Sequence, residues 1–298
     1  MPDLIVSRMK RELKVLINLY LFFSHWFLKG AEFFLCTFFF ALTSIVMDNI
    51  IHLHSTKSTN EDAYALAING AGHGVGVVAE QQSQGRGRLG REWISPPGTG
   101  LYCSIIIRPS LSLIDFPRIT LTAGLALCSA VESLTSHPFG LKWPNDLYCR
   151  GKKCGGILVE SSPLYHGKES LFVIVGIGVN VNTPSDLFPA SLEGKASSLF
   201  METGVLWDIS DLYEKIHDSL LLHIAIHEQQ GFAEILKKWR THDVLYEKEM
   251  QWLTREGKVI RGWGMGPDAD GKLIARDSKG VLHEILSGDV QLYRKNRA

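Results

Sequence analysis

The chain has 298 residues, of which 45% are hydrophobic and 21% charged, with a formal net charge of zero. That length gives room for one large domain and a small one, each with a core of its own, and the composition excludes a disordered chain. The balanced charge speaks against a general nucleic-acid binder, which would carry a basic excess.

Residues 1–46 form an apolar extension unlike the rest. Arg8, Lys10, Arg11 and Lys14 precede an apolar run over 15–28, and a second run covers 33–46. Each is shorter than the roughly 20 residues that cross a bilayer as a helix. The first has a positive flank, but no convincing signal cleavage site follows. Three readings stay open: a membrane anchor or hairpin, a helical interaction arm, or sequence upstream of a true start at Met47. Globular patterning begins at once after Met47, which favours the third.

From Asn49 the texture is α/β. A strand is expected over 50–54, then a helix over 61–69 capped from the polar run 55–60. A turn at 70–76 leads into a buried strand over 75–80. Beyond an arginine-glycine stretch come a strand over 101–107 and a helix over 116–134. In that strand Cys103 and Ile105 share one face, Ser104 and Ile106 the other. A short strand at 141–144 enters a proline turn. Strands over 155–160 and 171–182 lie side by side, with Lys153 at the mouth of the first. An amphipathic helix over 207–229 is capped by Asp208 or Ser210, Gly231 breaks it, and a shorter helix follows over 232–240. After about residue 246, turn signals at roughly 8–12-residue spacing indicate a small all-β barrel. The expected organisation is an extension 1–46, a main domain 47–245 of α/β texture, and a small all-β domain 246–298.

Cys36, Cys103, Cys128, Cys149 and Cys154 fit neither a zinc pattern nor a disulfide framework. Reduced thiols and a cytoplasmic main body are expected. His223 and His227 are four apart on a helix, with His217 nearby. No carboxylate motif accompanies them, so they are taken as helix-surface histidines and no side-chain metal site is assigned. His52 and His54 share one strand face and are taken as solvated or core-edge residues. Trp239 and Trp252 are expected to pack at the junction with the barrel.

Four stretches carry chemistry. In Gly85-Arg86-Gly87-Arg88-Leu89-Gly90-Arg91-Glu92-Trp93, glycines allow close backbone approach and arginines offer donor forks for carboxylate or phosphate. Alone, such a run is equally a solvated or nucleic-acid-binding loop. Lys142-Trp143-Pro144-Asn145-Asp146 puts a cation, an amide and a carboxylate on a proline corner. Lys153-Cys154-Gly155-Gly156 sets an ammonium beside bare backbone. Gly176-Ile177-Gly178-Val179-Asn180 pairs small residues with an amide at a strand end.

Together these stretches, in this order and approximate spacing and preceded by Glu80 and Gln82, resemble biotin protein ligase (biotin–[acetyl-CoA-carboxylase] ligase). The likeness runs from about Met47 to the C-terminus. It implies an α+β fold, a mixed β-sheet flanked by helices of the class II synthetase-like biotin/lipoate ligase type, followed by a small SH3-like β-barrel. It implies a reaction in two steps: biotin and ATP, with Mg²⁺, form biotinyl-5′-AMP, and the acyl group then passes to a lysine on a biotin carboxyl carrier domain of a carboxylase. By the resemblance, Ser58, Thr59, Asn60 and Gln82 serve the biotin ring. Gly85, Arg86 and Arg88 belong to the biotin side, and Gly155 and Gly156 give the surface on which biotin lies. Arg88, Arg91, Trp93, Lys142, Asn145, Lys153 and Asn180 belong to the ATP side. Lys153, Arg88 and Asp146 carry the chemistry, with Lys153 bridging the biotin carboxylate and the α-phosphate and Asp146 facing the acceptor lysine. Longer members of the family carry an operator-binding helix-turn-helix. Residues 1–46 lack that pattern, so no repressor activity and no nucleic-acid partner are expected. A homodimer is compatible with the family, and membrane contact depends on residues 1–46.

Overall fold

The computed structural model describes residues 49–162, 171–253, 259–285 and 291–292, all within one compact unit, Ile45–Ala298. The extension 1–46 and Cys36 lie outside the described residues. The main sheet contains β1 (Ile50–Leu53), β2 (Gly76–Ala79), β3 (Gly100–Ile107), β4 (Gly140–Lys142), β5 (Asp146–Cys149), β6 (Lys152–Ser161) and β7 (Val173–Asn180). Its spatial order is β1-β2-β3-β7-β6-β5-β4. Only β1 and β2 run parallel; the other neighbours are antiparallel, so the sheet is mixed.

Both faces of the sheet are covered. Helices α2 (Ile119–Thr135), α4 (Ile209–Gln230) and α5 (Phe232–Thr241) pack on the face that carries Leu101, Cys103, Ile105 and Ile107. Helix α1 (Thr59–Ile68) sets Ala63 and Ala67 against Val77, Ile106 and Ile174 on the other. The alternation read in β3 is therefore present, but every residue of the strand is buried, because helices cover both sides. Short α3 (Leu199–Thr203) lies between β7 and α4.

Several local expectations resolve. Asp208, not Ser210, caps α4, accepting from the N–H groups of Ser210 and Asp211. Gly231 breaks the helix at φ 85°. Helix α1 begins two residues earlier than expected, and its Ser58 N-cap makes no side-chain capping bond. The α4 histidines are not surface groups. His227 bonds to Thr122 and His223 to the Ser219 carbonyl, both are buried, and burial lowers their pKa. His217 meets the Gly74 carbonyl instead. His52 and His54 are exposed, and His54 pairs with Glu80. The four described cysteines are free and buried, and burial pushes Cys149 up to about 11 and Cys103 to about 12.

Five antiparallel strands make a second sheet: β8 (Glu249–Leu253), β9 (Val259–Pro267), β10 (Leu273–Asp277), β11 (Leu282–Ile285) and β12 (Gln291–Leu292), in the order β11-β10-β9-β8-β12. Among the described residues this sheet is open, without the closing pair that a barrel requires. Trp239 and Trp252 are both buried as expected.

Two tests arise from this packing. Gly124 sits inside α2, and a Cβ there would meet Trp239, Leu141 and Ile157 at ordinary contact distances of 3.5–3.9 Å. Gly124→Ala should thus stabilise the fold by about 0.5–1 kcal/mol in urea unfolding; a loss would show that this interface has no slack. Asp243 accepts from the Leu245 N–H, while its Oδ2 is buried without a hydrogen-bond partner among the described residues. Burial pushes its carboxyl up to about 6, opposed by the Leu245 and Tyr246 N–H groups and by Arg240. The unfolded chain, with an Asp pKa of about 4, releases that proton first, so stability from this group falls between pH about 4 and about 6 and stays lost above. Asp243→Asn should gain thermal stability over the parent across that interval, and a pH-independent difference would refute the assignment.

Candidate functional site

The glycines that the sequence places on β6 and β7 fall on one sheet face as a strip without side chains. Gly156 pairs with Gly178, and Gly176 lies two residues along. Large polar or aromatic groups fill the strip. The Trp93 indole lies on Gly178, where a Cβ would come within 2.5 Å of it, and also on Gly156. The Asn60 amide lies across Gly176 too closely for any Cβ. Gly155 does not belong to this surface. It points to the other face, against Leu147 and Val179, because residues alternate along a strand.

Lys153 reaches the strip through an irregularity. Leu147 pairs with Gly155, but the next residue, Tyr148, pairs with Lys153, so Cys154 is an extra residue in β6. Simple alternation would put residues 153 and 156 on opposite faces. The bulge puts both on the same one, and the Lys153 Nζ lies 3.1 Å from the Cβ position of Gly156. The Lys153 ammonium pairs with Asp146 at 2.6 Å and lies 5.4 Å from the centre of the Trp93 ring. Its backbone is held by Lys195 O and Ser197 N.

Polar groups at one end of the strip are already bonded to each other. Gln82 Oε1 accepts from the N–H and hydroxyl of Thr59, and Gln82 Nε2 donates to Ser95. Buried Ser104 donates to Asn60 Oδ1 (2.6 Å), and Asn60 Nδ2 donates to Glu160 (2.7 Å). Glu160 also pairs with Arg86 at 2.8 Å. Arg86, read as part of the biotin side and of the closing loop, is tied to β6 by Glu160 and lines the smaller of the two cavities at Lys153, not the larger one. Asn60 acts as a floor support, with both ends of its amide engaged. Gly85 lines neither cavity of the site. A Cβ at this position would collide with the Trp93 carbonyl, and the Trp93 N–H donates to Gly85 O (2.8 Å), closing a hairpin. The hairpin tip, Leu89-Gly90, has positive φ at both residues (58° and 72°).

Two cavities meet at Lys153. The small one, about 50 Å³, is lined by Ser58, Thr59, Gln82, Arg88, Gly156 and Gly176 among others. The larger, about 310 Å³, holds five basic side chains, Arg88, Arg91, Lys142, Lys153 and Lys195, against two acidic ones, Glu92 and Asp146. Asn145 and Asn180 also line it. Asn145 bridges the walls: it accepts from Arg88 and donates to the Ile157 carbonyl. Asn180 donates to Ser197 O. Burial lowers the Arg88 pKa, and Asp146 acts in the opposite direction. Trp93, expected near the adenine or the closing loop, spans both cavities from above the glycine strip. The sequence reading missed Ser95, Ser104, Tyr148, Phe188 and Lys195. Phe188 and Lys195 sit in a Pro-rich loop after β7 with no motif; an aromatic and a lysine in a polar loop were the available signal.

The chain matches the Biotin/lipoate A/B protein ligase family over residues 53–180. It is 34% identical over 250 residues to the bifunctional ligase/repressor BirA of Bacillus spizizenii, covering 84% of this chain and 76% of that one. It is 32% identical to the biotin–[acetyl-CoA-carboxylase] ligase of Paracoccus denitrificans over 76% of this chain and 94% of that one. The structure aligns with biotin protein ligase from Aquifex aeolicus in complex with biotin and ATP, with a TM-score of 0.71 and 32% identity, covering 84% of this chain and all of that one.

Gly176→Ala tests the strip. A methyl group at 176 has no room beside Asn60, so the amide must leave Ser104 and Glu160. Overpacking together with the loss of the Ser104–Asn60 and Asn60–Glu160 bonds should cost about 2–4 kcal/mol in urea unfolding, Ser104 keeping its bond to Thr59. A change below about 0.5 kcal/mol, the range of a neutral surface substitution, would contradict this packing.

Proposed function

The chain belongs to the biotin/lipoate A/B protein ligase family, and we propose that it is an ATP-dependent biotin protein ligase that forms biotinyl-5′-AMP and transfers biotin to a lysine of a biotin carboxyl carrier domain. The observation that carries this reading is the position of Lys153 where a small polar cavity opens into a cation-lined one. Biotin fits the first in chemistry: Ser58, Thr59 and Gln82 offer hydroxyl and amide groups for a ureido ring, and exchange their present bonds for it. ATP fits the second, where five basic groups face two acidic ones.

The first step brings a carboxylate to an α-phosphate, two anions that repel. The carboxylate oxygen bonds to phosphorus as the bond to pyrophosphate breaks. Lys153, placed between the cavities, neutralises both reactants, and Arg88 and Arg91 add donors where charge builds. The mixed anhydride is prone to hydrolysis, and the Gly85–Trp93 hairpin is placed to cover it. In the second step the acceptor amine attacks the acyl carbon and AMP leaves. Asp146, released from Lys153, is positioned to take the amine proton. Mg²⁺ would offset the charge of the triphosphate, and Glu92 and Asp146 are the carboxylates of the larger cavity that would face it.

We also read residues 47–245 as the catalytic domain and 246–298 as an SH3-like barrel module, supported by the short antiparallel strands there. A cytoplasmic location accords with the free buried thiols. A DNA-binding role is not part of the proposal.

The test is direct. Full-length protein incubated with ATP, Mg²⁺, biotin and a carrier domain should add one biotin to the carrier by mass spectrometry. Lipoyl transfer without biotinyl transfer would assign the chain to the other branch of the family. Lys153→Ala should lower adenylate formation by roughly 100-fold or more and keep biotin binding; an adenylate yield near the parent's would remove Lys153 from its role.

A further inference from the structure

We propose that the bond from the Trp143 indole N–H to the Gly271 carbonyl positions the turn that carries Lys142, Asn145 and Asp146 for adenylation. Trp143 and Gly271 are then positioning residues. The inference rests on the ligase reading for its kinetic part only.

Lys142, Asn145 and Asp146 line the larger cavity. They flank Trp143 and Pro144 between β4 and β5. Strand β4 is three residues long and lies at the edge of the main sheet, so neighbouring strands give it little support. Its outer side rests on the chain that leads into the second sheet: Leu141 N–H donates to His242 O (2.7 Å) and Val244 N–H to Leu141 O (3.0 Å). Trp143 then makes a contact 128 residues along the chain. Its indole N–H donates to the Gly271 carbonyl at 2.9 Å in a buried setting.

Gly271 lies in the turn between β9 and β10, and that turn is rigid. Asp268 Oδ1 accepts from the N–H groups of Asp270 and Lys272, and the Gly271 N–H donates to Asp268 O. Gly271 has φ 80°, which favours glycine. The turn is also fixed from outside. Arg118, just before α2, pairs with Asp270 at 2.6 Å and with Asp115, and stands 5.4 Å from the Phe232 ring at the start of α5. A Cβ at Gly271 would touch Phe232, Arg118 and Leu121 at 3.6–3.8 Å. The turn is thus wedged between two helices and presents one carbonyl to the cavity-lining corner. A buried indole N–H does not give up its acceptor cheaply, so a shift of this turn moves Trp143 and with it the residues on either side. The polar groups around Thr59 and Gln82 are held by other contacts and stay in place.

The test uses the full chain. Trp143→Phe keeps an aromatic ring and removes the donor; Gly271→Ala disturbs the acceptor turn through its positive φ. In both, amide exchange over residues 145–148 should accelerate, while residues 59–68 exchange as in the parent. The kcat/KM for ATP in adenylate formation should fall roughly 10–100-fold, with biotin affinity within about twofold of the parent, below the roughly 5-fold at which coupling between distinct sites begins. Unchanged exchange at 145–148 in the folded variants would overturn the proposal. So would acceleration spread evenly over the chain, or local acceleration with parental kcat/KM. If the parent itself makes no biotinyl adenylate, the ligase reading fails, and the exchange comparison still decides whether the sheet holds the corner.

Discussion

One extra residue in β6 decides where the Lys153 ammonium stands. Cys154 is bulged out of the pairing with β5, and its side chain goes into the core. Lys153 is thereby turned onto the face that carries Gly156, Gly178 and Trp93. Without the bulge the same lysine would point toward the helices α2 and α4, where burying a charge is costly. The bulge also has support from outside the sheet, since Lys153 exchanges backbone bonds with Lys195 and Ser197. The loop after β7 therefore contributes twice: it braces Lys153, and it supplies Lys195 and Phe188 to the larger cavity.

The two halves of the site are built on different physical terms. The glycine strip is a matter of exclusion. Three positions without Cβ atoms allow an indole and an amide to lie directly on the sheet, and side chains there would expel them. The polar end is pre-bonded, with Ser104, Asn60, Glu160 and Arg86 in sequence and Thr59, Gln82 and Ser95 beside them. Such a network specifies orientation more than it adds stability; the Arg86–Glu160 pair at its outer end is partly exposed and contributes little. The larger cavity depends instead on charge excess, which arises from residues far apart in sequence.

How much was legible in the sequence varied with the length scale of the cause. The helices at 209–230 and 232–241 follow from periodicity, an Asp cap and a breaking glycine, all local. The side-by-side placement of β6 and β7 follows from two adjacent apolar runs. The motif residues converge: Arg88, Asn145, Asp146 and Lys153 line one cavity, though 65 residues separate the first from the last. Gly155 was placed less well, because a glycine pair does not say which member lies on the strip when a bulge is next to it. Arg86 lines the smaller cavity with Ser58, Thr59 and Gln82 as grouped, but an arginine does not announce that Glu160 will hold it.

The sequence by itself determined the family and the set of residue types at the site, because these are written in short motifs, and it implied the mixed sheet with helices only through the family resemblance those motifs carry. Tertiary structure alone decided the rest: which face each motif residue occupies, that Trp93 lies on the glycine strip, that His223 and His227 are buried, and that a turn of the second sheet meets Trp143. Those outcomes depend on strand register and on contacts across many residues, where a one-residue shift reverses a face. The arginine-glycine run shows both sides. Its composition marked an anion site, while the fold assigned Arg88 and Arg91 to the larger cavity and left Arg86 beside the smaller one, paired with Glu160.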